Sequence, residues 1–171
     1  MRIFIIKKYI SNKCLISELH KKVQSQITNI NIEIREEGQE IDLNELKKVD
    51  LLITFDLAGF ERSTLANGIS YNLLNCKQIH FLLNKNLSNE SYLSKQLSLS
   101  MFFFCSDNDY YHYLIDTYPD IPYLEPIMSQ EKADLGGINV DVLWLSIYKV
   151  IKICKLSDAI EEQNGSVAGP N

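Results

Sequence analysis

The sequence predicts an α/β protein: a three-layer α/β/α sandwich on a five-stranded, mainly parallel sheet, in flavodoxin-like or Rossmann-like order. Three observations predict it. Short apolar runs at 3–6, 51–55, 79–83 and 101–105 have the length and composition of buried strands. Segments between them carry apolar residues at helical spacing. The stretch 49–84 then reads as buried strand, polar loop, amphipathic helix and buried strand, the repeating unit of a parallel sheet.

The elements follow in order. Ile3 to Ile6 form a first strand. Ser11 or Asn12 caps a helix whose buried face is Leu15, Leu19, Val23 and Ile27, four residues apart. Ile30, Ile32 and Ile34 alternate with Asn31, Glu33 and Arg35, the pattern of an edge strand with one wetter face. Glu36 to Gln39 read as a turn. Asp42 and Glu45 open a short helix in capping-box fashion. Leu51 to Phe55 is a central strand. Ser63 or Thr64 starts a helix with Leu65, Ile69, Leu73 and Cys76 inward, followed by a strand from Ile79 to Leu83.

Asn89 caps a helix running to about Leu97, and MFFFC, 101–105, is the fifth strand. Ser106 and Asp109 open a helix that ends at Tyr118, before Pro119. Ile121 to Leu124 form a short sixth strand, demoted to an edge by Pro122, which lacks a backbone donor. Met128 to Gly137 read as a loop or short helix. Val140, Leu143, Ile147, Val150, Ile151 and Cys154 make the stripe of a last helix, with Trp144 and Tyr148 beside it. Residues 1–160 are read as one domain and 161–171 as a disordered tail. Right-handed crossovers leave few topologies; the order 2-1-3-4-5 fits an edge position for 30–34.

Composition narrows the function. A net charge of −5 argues against non-specific nucleic-acid binding, which draws on a basic surface. Apolar runs fall short of the roughly 20 residues of a membrane span, and no signal-peptide pattern opens the chain, so the expected location is the cytoplasm, off the membrane. The four cysteines, Cys14, Cys76, Cys105 and Cys154, are far apart, with no C-x-x-C pair. They read as buried reduced thiols, and no metal site is expected.

A parallel sheet takes ligands at the carboxyl ends of its strands, at the point where strand order reverses. In the order 2-1-3-4-5 that point lies between the first and third strands. Lys7, Lys8 and Ser11 stand on one side of it; Asp56, Gly59, Glu61 and Ser63 stand on the other, with Asp107 at the end of the fifth strand. Lysines, a hydroxyl and a helix start together favour an anion. Asp56 at the top of a central strand can hold a ribose hydroxyl, a metal or a cationic group, or close the loop as an Asx-turn. Gly59 permits a sharp turn. Cys105 with His112 is a nucleophile–base pairing only if the fold joins them. His80, inside a strand, reads as a hydrogen-bonded core residue. Tyr110, Tyr111, Tyr113, Tyr118 and Tyr123 can stack a base or sugar, or form a protein interface.

Absences sharpen the picture. There is no G-x-x-x-x-G-K-[ST], no G-x-G-x-x-G after the first strand and no G-x-S-x-G. The residues after the first strand, KKYISNK, match neither a flavin-phosphate loop nor the acidic pair of a two-component receiver. VDLLITFD and STLANGISYNLLNCKQIHFLL, within 49–84, resemble the strand, acidic loop and helix start of sugar-nucleotide enzymes of the GT-B and epimerase type. That resemblance implies a nucleotide-sugar ligand and an active site completed by a second subunit. Two functions follow as expectations. One is a small-molecule-binding domain for a phosphate-bearing ligand, such as a nucleotide or nucleotide sugar. The other is a non-enzymatic adaptor or regulatory module acting through the helix at 140–156 and the tyrosine-rich surface, as a homodimer or with a partner protein.

Overall fold

The computed structural model describes residues 1–8, 13–36, 43–60, 71–85, 90–95, 97–127 and 139–156. Six parallel strands form one sheet in the order β2-β1-β3-β4-β5-β6: β1 Arg2–Lys7, β2 Asn31–Glu36, β3 Leu51–Phe55, β4 Lys77–Leu82, β5 Met101–Cys105 and β6 Leu124–Pro126. The α/β class holds, and the short sixth strand joins the five-stranded sheet as its far edge. The flavodoxin-like order 2-1-3-4-5 is present, extended by β6. Strand β2 is an edge, as the alternation in 30–35 predicts, but its residues after Asn31 are all half-buried, so the one wetter face expected there does not show in its burial.

Helices α1 (Lys13–Gln26) and α4 (Val140–Cys154) cover one face of the sheet. Ile16, Leu19, Val23 and Ile27 on one side, and Leu143, Ile147, Val150 and Ile151 on the other, pack over Ile3, Ile5, Leu51, Ile53, Phe55, Ile79, Phe81 and Phe104. Asn139 caps α4 by accepting the Val142 N–H at 3.1 Å, and Lys155 ends it in the left-handed conformation. The opposite face is covered by α2 (Leu43–Leu46), the segments 57–60 and 71–74, and α3 (Asn108–Thr117).

Several local expectations shift. The helix expected through Cys76 ends, in its described part, as a single 3₁₀ turn, Tyr71–Leu73. Tyr71 is drawn into the core: its hydroxyl donates to the Ala58 carbonyl at 3.1 Å, and its own carbonyl accepts from Gln78 Nε2 at 2.7 Å. The segment expected as a helix over 89–97 is a 3₁₀ segment, Glu90–Ser94. Asp107, rather than Ser106, caps α3, because the Ser106 hydroxyl donates across to the Leu83 carbonyl at 3.0 Å. Strand β6 lies three residues later than expected. Pro122 has no N–H for the ladder, and Phe103 instead donates to the Tyr123 carbonyl at 2.9 Å. Cys14 is exposed, unlike the buried Cys76 and Cys105. The caps at Ser11 and Asn12, the helix start at Ser63 or Thr64, the cap at Asn89, residues 128–137 and the tail at 161–171 lie outside the described residues. Among the described residues, no helix is long and apolar enough to cross a membrane.

Candidate functional site

Strands β1 and β3 are neighbours whose outer partners lie on opposite sides, so their carboxyl ends flank the reversal point. At the end of β1, the Lys7 ammonium lies 3.3 Å from Glu36 Oε1, its registered partner on β2. Lys7 was expected to line the crevice; its charge is instead engaged on the β2 side, and its side chain is only 9% exposed. Lys8 follows, half-buried at the rim. Ser11, Glu61 and Ser63 lie outside the described residues.

At the end of β3 the chain makes a turn of unusual backbone. Asp56 and Leu57 have φ of 52° and 59°, and Gly59 has φ of 83°. Left-handed conformation at a residue with a Cβ costs about 1–2 kcal/mol, so two in succession need compensation. Four groups supply it. The Asp56 N–H continues the ladder to the Phe81 carbonyl at 2.8 Å, and Ala58 N–H donates to Phe55 at 3.0 Å. The Tyr71 hydroxyl holds Ala58. The Asp56 carboxylate, 2% exposed, reaches the start of the segment after β4: Oδ1 accepts from Leu83 N at 2.7 Å and Asn84 N at 3.0 Å, and Oδ2 accepts from Asn84 Nδ2. Gly59 is required twice over. Its φ favours glycine, and a Cβ there would lie 2.0 Å from the Tyr71 hydroxyl.

Asp107 lies on the other side of the same segment. Its Oδ1 accepts from Tyr110 N at 2.8 Å, and Lys85 Nζ lies 3.0 Å from its Oδ2. The Tyr110 N–H first, then the Lys85 ammonium, hold its carboxyl below the usual range. Residues 83–85 are thus tied to Asp56 on one side and to Ser106 and Asp107 on the other. The structure joins Asp56 and Asp107 through this segment and sets Lys7 apart with Glu36.

Beneath the turn runs a buried polar chain. Thr54 Oγ1 lies 2.6 Å from His80 Nδ1, and His80 Nε2 lies 3.0 Å from Gln78 Oε1. Phe60 packs edge-on against His80, and Phe103 tilts over it. Burial pushes the His80 imidazole down to about 3. It is a hydrogen-bonded core histidine and is neutral at pH 7. The Cys105 thiol, buried beside the Asp107 carbonyl, is pushed up to about 11. His112 is exposed on α3 against Tyr111. Neither member of the Cys105/His112 pairing is set up as that chemistry needs.

The tyrosines serve a residue the sequence did not single out. Glu90 accepts from the hydroxyls of Tyr110 at 2.9 Å, Tyr113 at 2.7 Å and Tyr118 at 2.9 Å. Burial, then that carboxylate, lift Tyr118 to about 12. Nothing local marks Glu90, since its partners lie 20 to 28 residues away. Among the described residues, no group of three His, Cys, Asp or Glu side chains is placed to hold a metal.

No protein-family model matches this chain, and no curated protein matches it. Among solved structures it is similar to the crystal structure of Smu.1420 from Streptococcus mutans UA159, at 14% identity over 90% of this chain and 98% of that one, with a TM-score of 0.39.

Proposed function

We propose that this chain is a small-molecule-binding α/β domain whose ligand bears a phosphate, as a nucleotide or nucleotide sugar does, and sits at the carboxyl ends of the strands. The observation that carries the reading is the reversal of strand order at β1 and β3, with the left-handed turn Asp56–Gly59 beside it. Parallel sheets open a crevice at such a reversal, and strained backbone concentrates at binding sites. Lys8 at the β1 rim is the cation the reading places beside it; Lys85 after β4 is paired with Asp107. The reading concerns binding; it assigns no reaction to Cys105, which is buried, or to His80, which is buried between Thr54 and Gln78.

The test is thermal unfolding against a panel of nucleotides, nucleotide sugars and phosphorylated metabolites. A ligand at a hundredfold excess over its Kd adds about 2.7 kcal/mol of stability. The shift is expected to disappear in Lys8→Ala and to persist in Lys149→Ala, on α4. A panel without a shift, or a shift indifferent to Lys8, overturns the reading.

A second reading, the adaptor, draws on Leu145 and Ile153, which are 57% and 53% exposed on one stripe of α4. It expects a concentration-dependent dimer, or a partner-protein complex, that Leu145→Glu dissolves. Sedimentation that stays monomeric in the wild type removes the homodimer.

A further inference from the structure

Leu83 and Asn84 present two consecutive backbone N–H groups to one oxygen of Asp56, at 2.7 and 3.0 Å, and the Asn84 side-chain amide donates to the other oxygen. Successive N–H groups converging on a single anion are how proteins cradle phosphate and carboxylate ligands. Here the anion belongs to the chain itself. It is buried, yet the donors lie at the rim: Asn84 is exposed and Leu83 is half-buried. Lys85, the next residue, is 57% exposed and ion-paired with Asp107 at 3.0 Å. While the carboxylate makes these bonds, Asp56 and Leu57 hold left-handed backbone, which side-chain-bearing residues disfavour.

We infer that Leu83 and Asn84 form an anion-binding nest, that Asp56 fills it as a built-in occupant, and that the phosphate group of a ligand displaces Asp56. This rests on the phosphate-binding reading above and adds where the phosphate sits and what competes with it. Displacement leaves the nest donors satisfied by the incoming anion. It also frees the turn from the backbone conformation that the internal bond imposes. The resting protein therefore screens the nest against weak anions, and a ligand binds with its intrinsic affinity divided by the fraction of time Asp56 is away.

The inference reverses the usual expectation for a site carboxylate: removing Asp56 strengthens binding. The probes are inorganic phosphate and pyrophosphate, at ionic strength matched with chloride and followed by amide NMR. In the wild type, saturable shifts are expected at Leu83 and Asn84 together with Asp56 and Leu57, because filling the nest and freeing the turn are one event. Asp56→Gly removes the occupant and accepts the left-handed backbone, and its affinity is expected to rise about tenfold or more. Asp56→Asn, a neutral occupant of the same shape, is expected to fall between the two. Equal or weaker affinity in Asp56→Gly overturns the inference. So does a wild-type titration that leaves Leu83 and Asn84 unmoved, whatever the variants do. If nucleotide binding remains Lys8-dependent while Asp56→Gly weakens it, the strand-end reading stands and the nest falls. If Asp56→Gly gains phosphate affinity while no panel ligand stabilises the wild type, the nest stands and the nucleotide reading falls.

Discussion

The face of the sheet under α1 and α4 is lined by Ile5, Ile53, Phe55, Ile79, Phe81 and Phe104, a wholly apolar layer. The opposite face sets Thr54, Gln78 and His80, all 0% exposed, among Phe4, Leu52 and Phe103. The same strands build both faces, because successive side chains alternate. An apolar face is satisfied by shape alone. A polar one needs every group partnered, and partners fix geometry. Thr54, His80 and Gln78 lead to Tyr71, and Tyr71 leads to the turn at Ala58 and Gly59. The first face stores stability, and the second converts it into position at the strand ends.

The contrast breaks most simply at Phe81. It is fully buried, its ring lies 5.3 Å from Phe55 and 5.9 Å from Phe104 in the apolar layer, and only its main-chain carbonyl bonds to the Asp56 turn. Phe81→Ala is expected to cost about 3–5 kcal/mol through lost burial and the cavity left behind, read from the denaturant midpoint. Such a loss at Phe81, with the conformation of the Asp56 turn unchanged by NMR, keeps storage and positioning separate.

The polar face has its own signature in pH. His80 is neutral in the fold and titrates near 3, against about 6.5 when unfolded. Between those values the unfolded chain binds the extra proton, so stability is full above pH 6.5 and falls as pH drops toward 3. The slope is up to about 1.4 kcal/mol per pH unit from this residue, or roughly 2–3 kcal/mol between pH 6.5 and 4.5. His80→Gln, which has no titrating proton, should flatten the curve across that window. Urea unfolding of both proteins at pH 7, 5.5 and 4.5 decides it. Parallel curves would mean that His80 is not the group responsible.

Much of this division was legible in the sequence. Continuous apolar runs mark β1, β3, β4 and β5 because a strand buried on both faces has no wet side to write into its pattern. His80, interrupting such a run, signalled a bonded core residue, and the alternation in 30–35 placed β2 at the edge. Asp56 was legible as important, with ligand contact and an Asx-type turn both open. What remained hidden depends on partners distant in sequence. The Lys7 pairing needs Glu36 to belong to a strand, whereas Glu-Glu-Gly reads as a turn. Tyr71 sits in a 3₁₀ turn and bonds to Ala58 and Gln78, tertiary contacts that local propensity does not show. Pro122 pointed to an edge strand, but not to the register that begins it at Leu124.

Glu90 tests whether the polar face extends to α3. Three phenols donate to one carboxylate there, and α3 contributes two of them. Glu90→Gln offers one oxygen and a donor of the wrong sense, so at least one hydroxyl loses its acceptor. The expected loss is about 1–3 kcal/mol. Tyr118 should ionise at lower pH, visible in the ultraviolet titration of tyrosine, since the carboxylate holding its proton is gone. A stability loss without that spectroscopic change would make Glu90 a packing residue rather than an acceptor.

The smallest effect is expected where neither face is involved. Lys149 Nζ lies 2.6 Å from Glu125 Oε2, the shortest ion pair among the described residues, yet the two side chains are 48% and 35% exposed. A short distance is not a large energy here, because water screens both charges and two long side chains are immobilised. Lys149→Ala is expected to cost less than about 1 kcal/mol, and less again in high salt. A double-mutant cycle with Glu125→Ala, run at low and high salt, isolates the pair. A coupling well above that, unchanged by salt, would mean that the outer side of α4 also carries position. The division between a storing face and a positioning face would then end at the sheet instead of extending through the helices that cover it.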